Sequence, residues 1–244
     1  MLFDLTGKTA LITGSSQGIG KAIAKCLADN GAKAIIHGSS SYEKCRKVAD
    51  EIGENTAVAI ADLSLDGCAE KLYEQTGNAD ILVLNASVQF RRPWDEITGE
   101  EFDKQVRVNL KSSLELIQKY APHMQEQKWG RIVTIGSVQQ HKPHKDMAVY
   151  AATKAGQMSL VTNLAKQLAV DGVTVNNISP GVIATPRNEE ALSDNEYRNI
   201  VLKGIPVGFE GTEEDCTGSV LLLCSEAGRY ITGIDLIVDG GMSL

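Results

Sequence analysis

Thr13-Gly14-Ser15-Ser16-Gln17-Gly18-Ile19-Gly20 decides the fold of this chain. It follows a short β-branched run, residues 9–13, and leads straight into residues 19–30, where apolar side chains recur three and four apart. A strand that turns through glycines into a helix is the setting of a phosphate-binding turn. Glycine lets the backbone turn tightly and approach a pyrophosphate, and the amides and positive dipole end at the helix start attract its charge. The plain alternative is a glycine-rich turn without a ligand. A nucleoside-triphosphate loop is rejected: Ser15 occupies one of its glycine positions, and Lys21 is followed by Ala22, so no hydroxyl is placed for a magnesium ion.

Outward from this turn the same alternation repeats. Residues 34–36, 57–60, 81–84, 132–135, 173–178 and 236–238 read as further strands, seven with the first. Between them, residues 42–53, 65–75, 102–127, 150–170 and 213–224 carry helical periodicity. The strands hold almost no charge, which fits burial on both faces, so the expected fold is α/β: a Rossmann-like doubly wound parallel sheet with helices on both sides. Ligands of such sheets bind outside the carboxyl ends of the strands. A length of 244 residues suits one domain, residues 1–244, and the poorly periodic stretch 184–211, rich in Asn, Glu and Gly, is the expected substrate lid.

Apolar residues make up 43% and charged residues 23%, the balance of a folded globular chain. A net charge of −7 with scattered lysines and arginines offers no basic stripe for nucleic acid. The chain shows no signal-like or membrane-length apolar run, and Cys26, Cys45, Cys68, Cys216 and Cys224 form no Cys-x-x-Cys pair. A cytoplasmic protein with reduced, packing cysteines and no metal is expected.

Tyr150-Ala151-Ala152-Thr153-Lys154 places a phenol and an ammonium four residues apart, neighbours on one helix face. A nearby lysine cation favours the phenolate, and an acid/base works best when its pKa lies near the working pH. Such a pair also arises on solvated helices, so its company matters. Ser137 follows the strand at 132–135, where a carboxyl end delivers its hydroxyl to the crevice.

The turn Thr13-Gly14-x3-Gly18-x-Gly20, with Ser137 about a dozen residues before Tyr150-x3-Lys154, resembles the short-chain dehydrogenase/reductase family, and the likeness runs from Thr13 to Gly241. The resemblance implies a reversible hydride transfer between a nicotinamide cofactor and an alcohol or ketone carbon. It makes Tyr150 the acid/base, Lys154 the residue that perturbs it and binds the nicotinamide ribose, Ser137 the substrate-orienting hydroxyl, and Asn109 the holder of a proton-relay water. Cofactor contacts carry over to Gly14, Ser16, Gln17, Gly18, Ile19 and Gly20 of the turn, to Ser39, and to Asp62 and Leu63 after the third strand. They continue at Asn85 and Ala86 after the fourth, and at Pro180, Gly181, Ile183 and Thr185. Ser87 stands where the family has glycine. Homotetramers or homodimers are the family's usual assemblies.

At the end of the second strand, His37-Gly38-Ser39-Ser40-Ser41 has no acid to hold an NAD ribose, which favours NADP, although no arginine sits beside these hydroxyls. Arg91 and Arg92 offer charge to an anionic substrate, as in family members acting on sugar acids. Alternatively, both are solvated or lie in a subunit contact. Keto-sugar acids or polyols and 3-oxoacyl thioesters are the substrate candidates. His141-x-x-His144 is interrupted by Pro143 and reads as an exposed loop near the site entrance, and Trp94 and Trp129 read as packing. Two rivals stay open: a non-catalytic dinucleotide-binding regulator, and an epimerase or dehydratase that retains its cofactor.

Overall fold

Seven parallel strands build one sheet in the order β3-β2-β1-β4-β5-β6-β7. They are β1 (Thr9–Ile12), β2 (Lys33–Gly38), β3 (Thr56–Ile60), β4 (Ile81–Leu84), β5 (Gly130–Ile135), β6 (Val173–Pro180) and β7 (Asp235–Val238). This computed structural model describes the backbone of residues 1–244 and every side chain except those of Glu190 and Ala191. All seven expected strands are present, and each boundary moves by no more than two residues.

Strand side chains alternate between faces, so each central strand feeds two apolar layers. Leu11, Ile35, Leu82, Ile132 and Val175 pack with Leu116, Ile117, Tyr120 and Val161 on one side. Ile12, Ile36, Val83 and Val133 pack with Ile23, Leu27, Val220 and Leu223 on the other. The helices that supply these partners are α1 (Gly18–Asp29), α5 (Ser112–Glu126), α6 (Ala148–Leu168) and α9 (Thr217–Cys224). The chain winds from β1 outward to β3, then returns to β4 and winds the other way, so the crevice opens at the carboxyl ends of β1 and β4.

Two helical expectations need correction. The run expected at 102–127 is divided into α4 (Gly99–Val106), a π-helical turn at Arg107–Lys111, and α5. A π turn inserts a residue without changing the apolar pattern enough to show in sequence, and such turns recur at functional sites. The stretch 184–211 is more ordered than expected: it holds α7 (Glu189–Ser193) and α8 (Asn195–Lys203), the latter capped by the Asp194 carboxylate, which accepts from the amides of Glu196 and Tyr197. None of the described residues of α8 is buried, because its short apolar stripe, Tyr197, Ile200 and Val201, lines the cleft instead of the core. The remaining helices, α2 (Tyr42–Ile52) and α3 (Cys68–Thr76), flank β3. Among the described residues no helix is long and apolar enough to cross a membrane.

Candidate active site

A cleft of about 790 Å³ runs across the carboxyl ends of the strands. One end is lined by Gly14, Ser16, Gln17, Gly18, Ile19, Ser39, Asp62, Leu63, Asn85 and Ala86, the other by Ser137, Tyr150, Pro180, Gly181, Ile183 and Thr185. Gly20, Asn109 and Lys154 lie directly behind this lining, so the structure gathers the residues that the motifs singled out.

The glycine turn is built by close approach. Gly14 and Gly18 adopt φ of +64° and +63°, the left-handed region that glycine enters freely. A Cβ on Gly20 would fall 2.5 Å from Asn85 Nδ2 and 2.6 Å from the Gly14 carbonyl oxygen. Asn85 Nδ2 donates to the Thr13 and Gly14 carbonyls at 2.9 and 3.0 Å, which ties β4 to the turn. His37 is the fastener that sequence reasoning missed. Its Nδ1 accepts from the Gly14 amide at 3.0 Å, and its Nε2 then donates to the Ala61 carbonyl at 2.9 Å. Burial pushes its pKa down to about 4, so the ring works as a neutral imidazole.

These residues fit a nicotinamide dinucleotide. Gln17 makes no side-chain capping bond to α1, so the first-turn amides keep their capacity for an anion. A Cβ on Gly18 would meet nothing nearer than 3.8 Å, which leaves room for a ligand above the turn. No acid stands at the end of β2, and the exposed Ser39 hydroxyl lines the cleft there. Asp62 accepts from the Ser64 amide and hydroxyl at 2.9 and 2.7 Å, which holds its carboxyl below the usual range.

Tyr150 and Lys154 share one face of α6. Tyr150 is buried yet lines the cleft, whereas Lys154, 1% exposed, lies beneath it with Nζ 5.7 Å from the tyrosine ring centre. Lys154 Nζ donates to the Ile135 carbonyl at 2.7 Å and to Gln157 Oε1 at 2.9 Å. Burial, with a smaller contribution from the nearby Arg187 cation, brings its pKa down to about 7. Ser137 Oγ accepts from the Gln139 amide at 3.2 Å at the end of β5. Asn109 sits in the π turn; its Oδ1 accepts from the Val88 amide at 2.8 Å. Its Nδ2 donates to the Val88 carbonyl at 2.9 Å and to Thr153 Oγ1 at 3.1 Å, which locks α6 to the chain after β4.

The arginine pair splits. Arg91 lines the cleft and donates to the Tyr197 hydroxyl at 2.9 Å, while Arg92 turns away to Glu101 at 3.0 Å. A second cleft cation, absent from the sequence reading, is Arg187, whose Nη1 and Nη2 donate to Ser87 Oγ at 2.9 Å and to the Ser87 carbonyl at 2.8 Å. The serine in the family's glycine position thus seats an arginine one hundred residues away. A basic side chain two places after Thr185 was the available signal for Arg187; for Tyr197 it was the spacing to Ile200 and Val201, three and four residues on.

Among the described residues the guanidinium partners here are a phenol, a hydroxyl and a carbonyl. Lys142 and His144 line the same end, and Asp62, at the far end, is the acid among the described lining residues. His141 leaves the His141-x-x-His144 pair to bond Asp235 at 2.6 Å. Trp129 packs, with Lys8 Nζ 3.8 Å from its ring centre, but Trp94 is 78% exposed, which corrects the expectation that both tryptophans pack.

A family model described as enoyl-(acyl carrier protein) reductase matches residues 14–243. A 3-oxoacyl-[acyl-carrier-protein] reductase of Rickettsia prowazekii is 35% identical over 241 residues, 99% of each chain. Among solved structures, a 3-oxoacyl (acyl-carrier-protein) reductase from Agrobacterium tumefaciens with NADP bound is 37% identical with a TM-score of 0.94, covering 98% of this chain and 95% of that one. A gluconate 5-dehydrogenase from Burkholderia cenocepacia in complex with NADP and tartrate is 31% identical with a TM-score of 0.92, covering 99% and 97%.

Proposed function

The chain belongs to the short-chain dehydrogenase/reductase family, as an NAD(P)-dependent oxidoreductase of alcohols and ketones, and from that premise we propose that it interconverts small hydroxy and oxo acids with NADP(H). The observation that carries this reading is the pair Arg91 and Arg187, two cations at the reacting end of the cleft whose hydrogen-bond partners among the described residues are a phenol, a hydroxyl and a carbonyl. In a chain of net charge −7, cations collected in a cleft raise the local concentration of an anion and orient its carboxylate. The tartrate-bound relative fits the same chemistry. NADP is favoured over NAD because Ser39 and its neighbours offer hydroxyls, with no acid to repel a ribose phosphate.

The bound nicotinamide dinucleotide supplies or accepts the hydride. Tyr150 gives a proton to the substrate oxygen in reduction and takes it in oxidation, and Ser137 holds that oxygen. Lys154 binds the nicotinamide ribose and presents positive charge beneath the phenol, which favours the phenolate form. Asn109 fixes α6, and with it Tyr150, against the cofactor side of the cleft. The stretch 184–211 closes over the substrate and carries Tyr197 towards Arg91. A 3-oxoacyl thioester is the second reading, favoured by the Rickettsia and Agrobacterium relatives.

The deciding experiment follows the near-ultraviolet absorbance of NADPH, and separately NADH, against keto-sugar acids, their neutral polyol counterparts and 3-oxoacyl thioesters. Turnover confined to the acids supports the reading; turnover confined to the thioesters replaces it. Binding without turnover of any substrate by wild type would bring the regulator forward, and turnover without net cofactor consumption the epimerase. The enzyme works as a homodimer or homotetramer in the cytoplasm: the edge strand β7 leaves Ile237 41% exposed, and the five thiols are unpaired. Sedimentation measures the oligomeric state.

A further inference from the structure

We propose that Gln157 is a positioning residue for Lys154, its buried amide fixing the direction of the ammonium group and holding it in its charged form. This inference rests on the roles assigned above to Tyr150 and Lys154. Gln157 lies three residues beyond Lys154 on α6, where the inward positions further along are Val161, Ala165 and Leu168. Gln157 is 1% exposed. An amide at such a depth costs free energy unless both its ends are bonded.

Both ends are bonded, and in a defined direction. Gln157 Oε1 accepts from Lys154 Nζ at 2.9 Å, and Gln157 Nε2 donates to Ser113 Oγ at 2.9 Å. Ser113 Oγ in turn donates to the Asn109 carbonyl at 3.0 Å, in the π turn. The reverse amide orientation would set an NH₂ group against an ammonium, so the network selects this one. Of the three ammonium donors, Ile135 and Gln157 take two. The third is left for the Tyr150 side of the cleft.

The charge balance around Lys154 gives the amide its importance. Burial disfavours the ammonium, and Arg187, from the loop after β6, repels it to a smaller extent. Tyr150 on the same helix is the ionisable neighbour, while β5 and the π turn present the Ile135 carbonyl, Asn109 and Ser113, none of which ionises. The oxygens of Ile135 and Gln157 are therefore what favours the cation. An apolar side chain at 157 would fill the space and supply no acceptor.

The test is a nitrogen NMR titration of the lysine ammonium in the cofactor-free protein, with Lys154→Met to assign the signal. Gln157→Leu should lower the Lys154 midpoint by about one to two pH units, the equivalent of one hydrogen bond to a charged group. Gln157→Glu, which keeps the acceptor and adds a negative charge, should raise it. Midpoints unmoved in both variants, or displaced in the same direction, would overturn the proposal, and Gln157→Glu alone decides it if the leucine variant does not fold. Failure of the underlying reading is distinguishable, because Tyr150→Phe would then keep its turnover whatever the titrations show.

Discussion

The two ends of the cleft are made in different ways. The cofactor end is backbone: glycines in left-handed conformation, a bare helix start, and fasteners such as Asn85 and His37 that bond main-chain atoms. The substrate end is side chain: Arg91 on Tyr197, Arg187 on Ser87, and Lys154 on Gln157, each drawn from a different segment. A backbone cradle recognises what all dinucleotides share, whereas a side-chain lining can be exchanged without disturbing the sheet. On the proposed function, affinity for the cofactor belongs to one end, and chemistry and selectivity to the other.

The severest way to separate the ends is Tyr150→Phe, which should lower kcat by about a hundred- to ten-thousand-fold, the range of general acid–base catalysis, while the Kd for NADPH from fluorescence stays near wild type. A parallel loss of cofactor binding would show that the two ends are not independent.

Next in size is a pH effect at the cofactor end. His37 titrates at about 4 when folded and near 6.5 when exposed, so between these values the unfolded chain binds a proton that the folded chain refuses. The contribution to stability is complete above pH 6.5 and falls away as the pH drops to 4, by about 3 kcal/mol in all. Urea unfolding across that range measures the step, and His37→Gln should remove it.

At the substrate end, Arg187→Met should raise KM for an anionic oxo acid by about ten- to a hundredfold, as expected for a lost charge-assisted bond, and leave KM for a neutral ketone unchanged. An equal rise for both substrates would reduce Arg187 to a structural strut. The smallest expected effect is Gly20→Ala, whose Cβ collides with Asn85 Nδ2 and the Gly14 carbonyl. Displacing the turn should weaken NADPH binding by about tenfold, in line with the cost of modest overpacking, with little change in the KM of the oxo acid.

The substrate end is also where the sequence reading lost resolution. Arg91 and Arg92 are adjacent and look equivalent, but the backbone turns one into the cleft and the other to Glu101. Ser87 looks like a loss of backbone freedom, and its purpose emerges only when Arg187 arrives from one hundred residues downstream. Gln157 sits in an otherwise ordinary helix register, and Ser113, its partner 44 residues earlier, gives no hint of the pairing.

The sequence by itself determined the sheet, the glycine turn and the Tyr150–Lys154 face. Each depends on local spacing: period two in a buried strand, a glycine where φ must be positive, four residues for one helical turn. Only the tertiary structure decided which cations face the substrate, which imidazole fastens the turn, and what holds the lysine. Arg91 with Tyr197 and Arg187 with Ser87 join segments far apart in the chain, and Gln157, although three residues from Lys154, is held in place by Ser113 from another helix; side chains that meet across a fold leave no periodic trace in either segment alone.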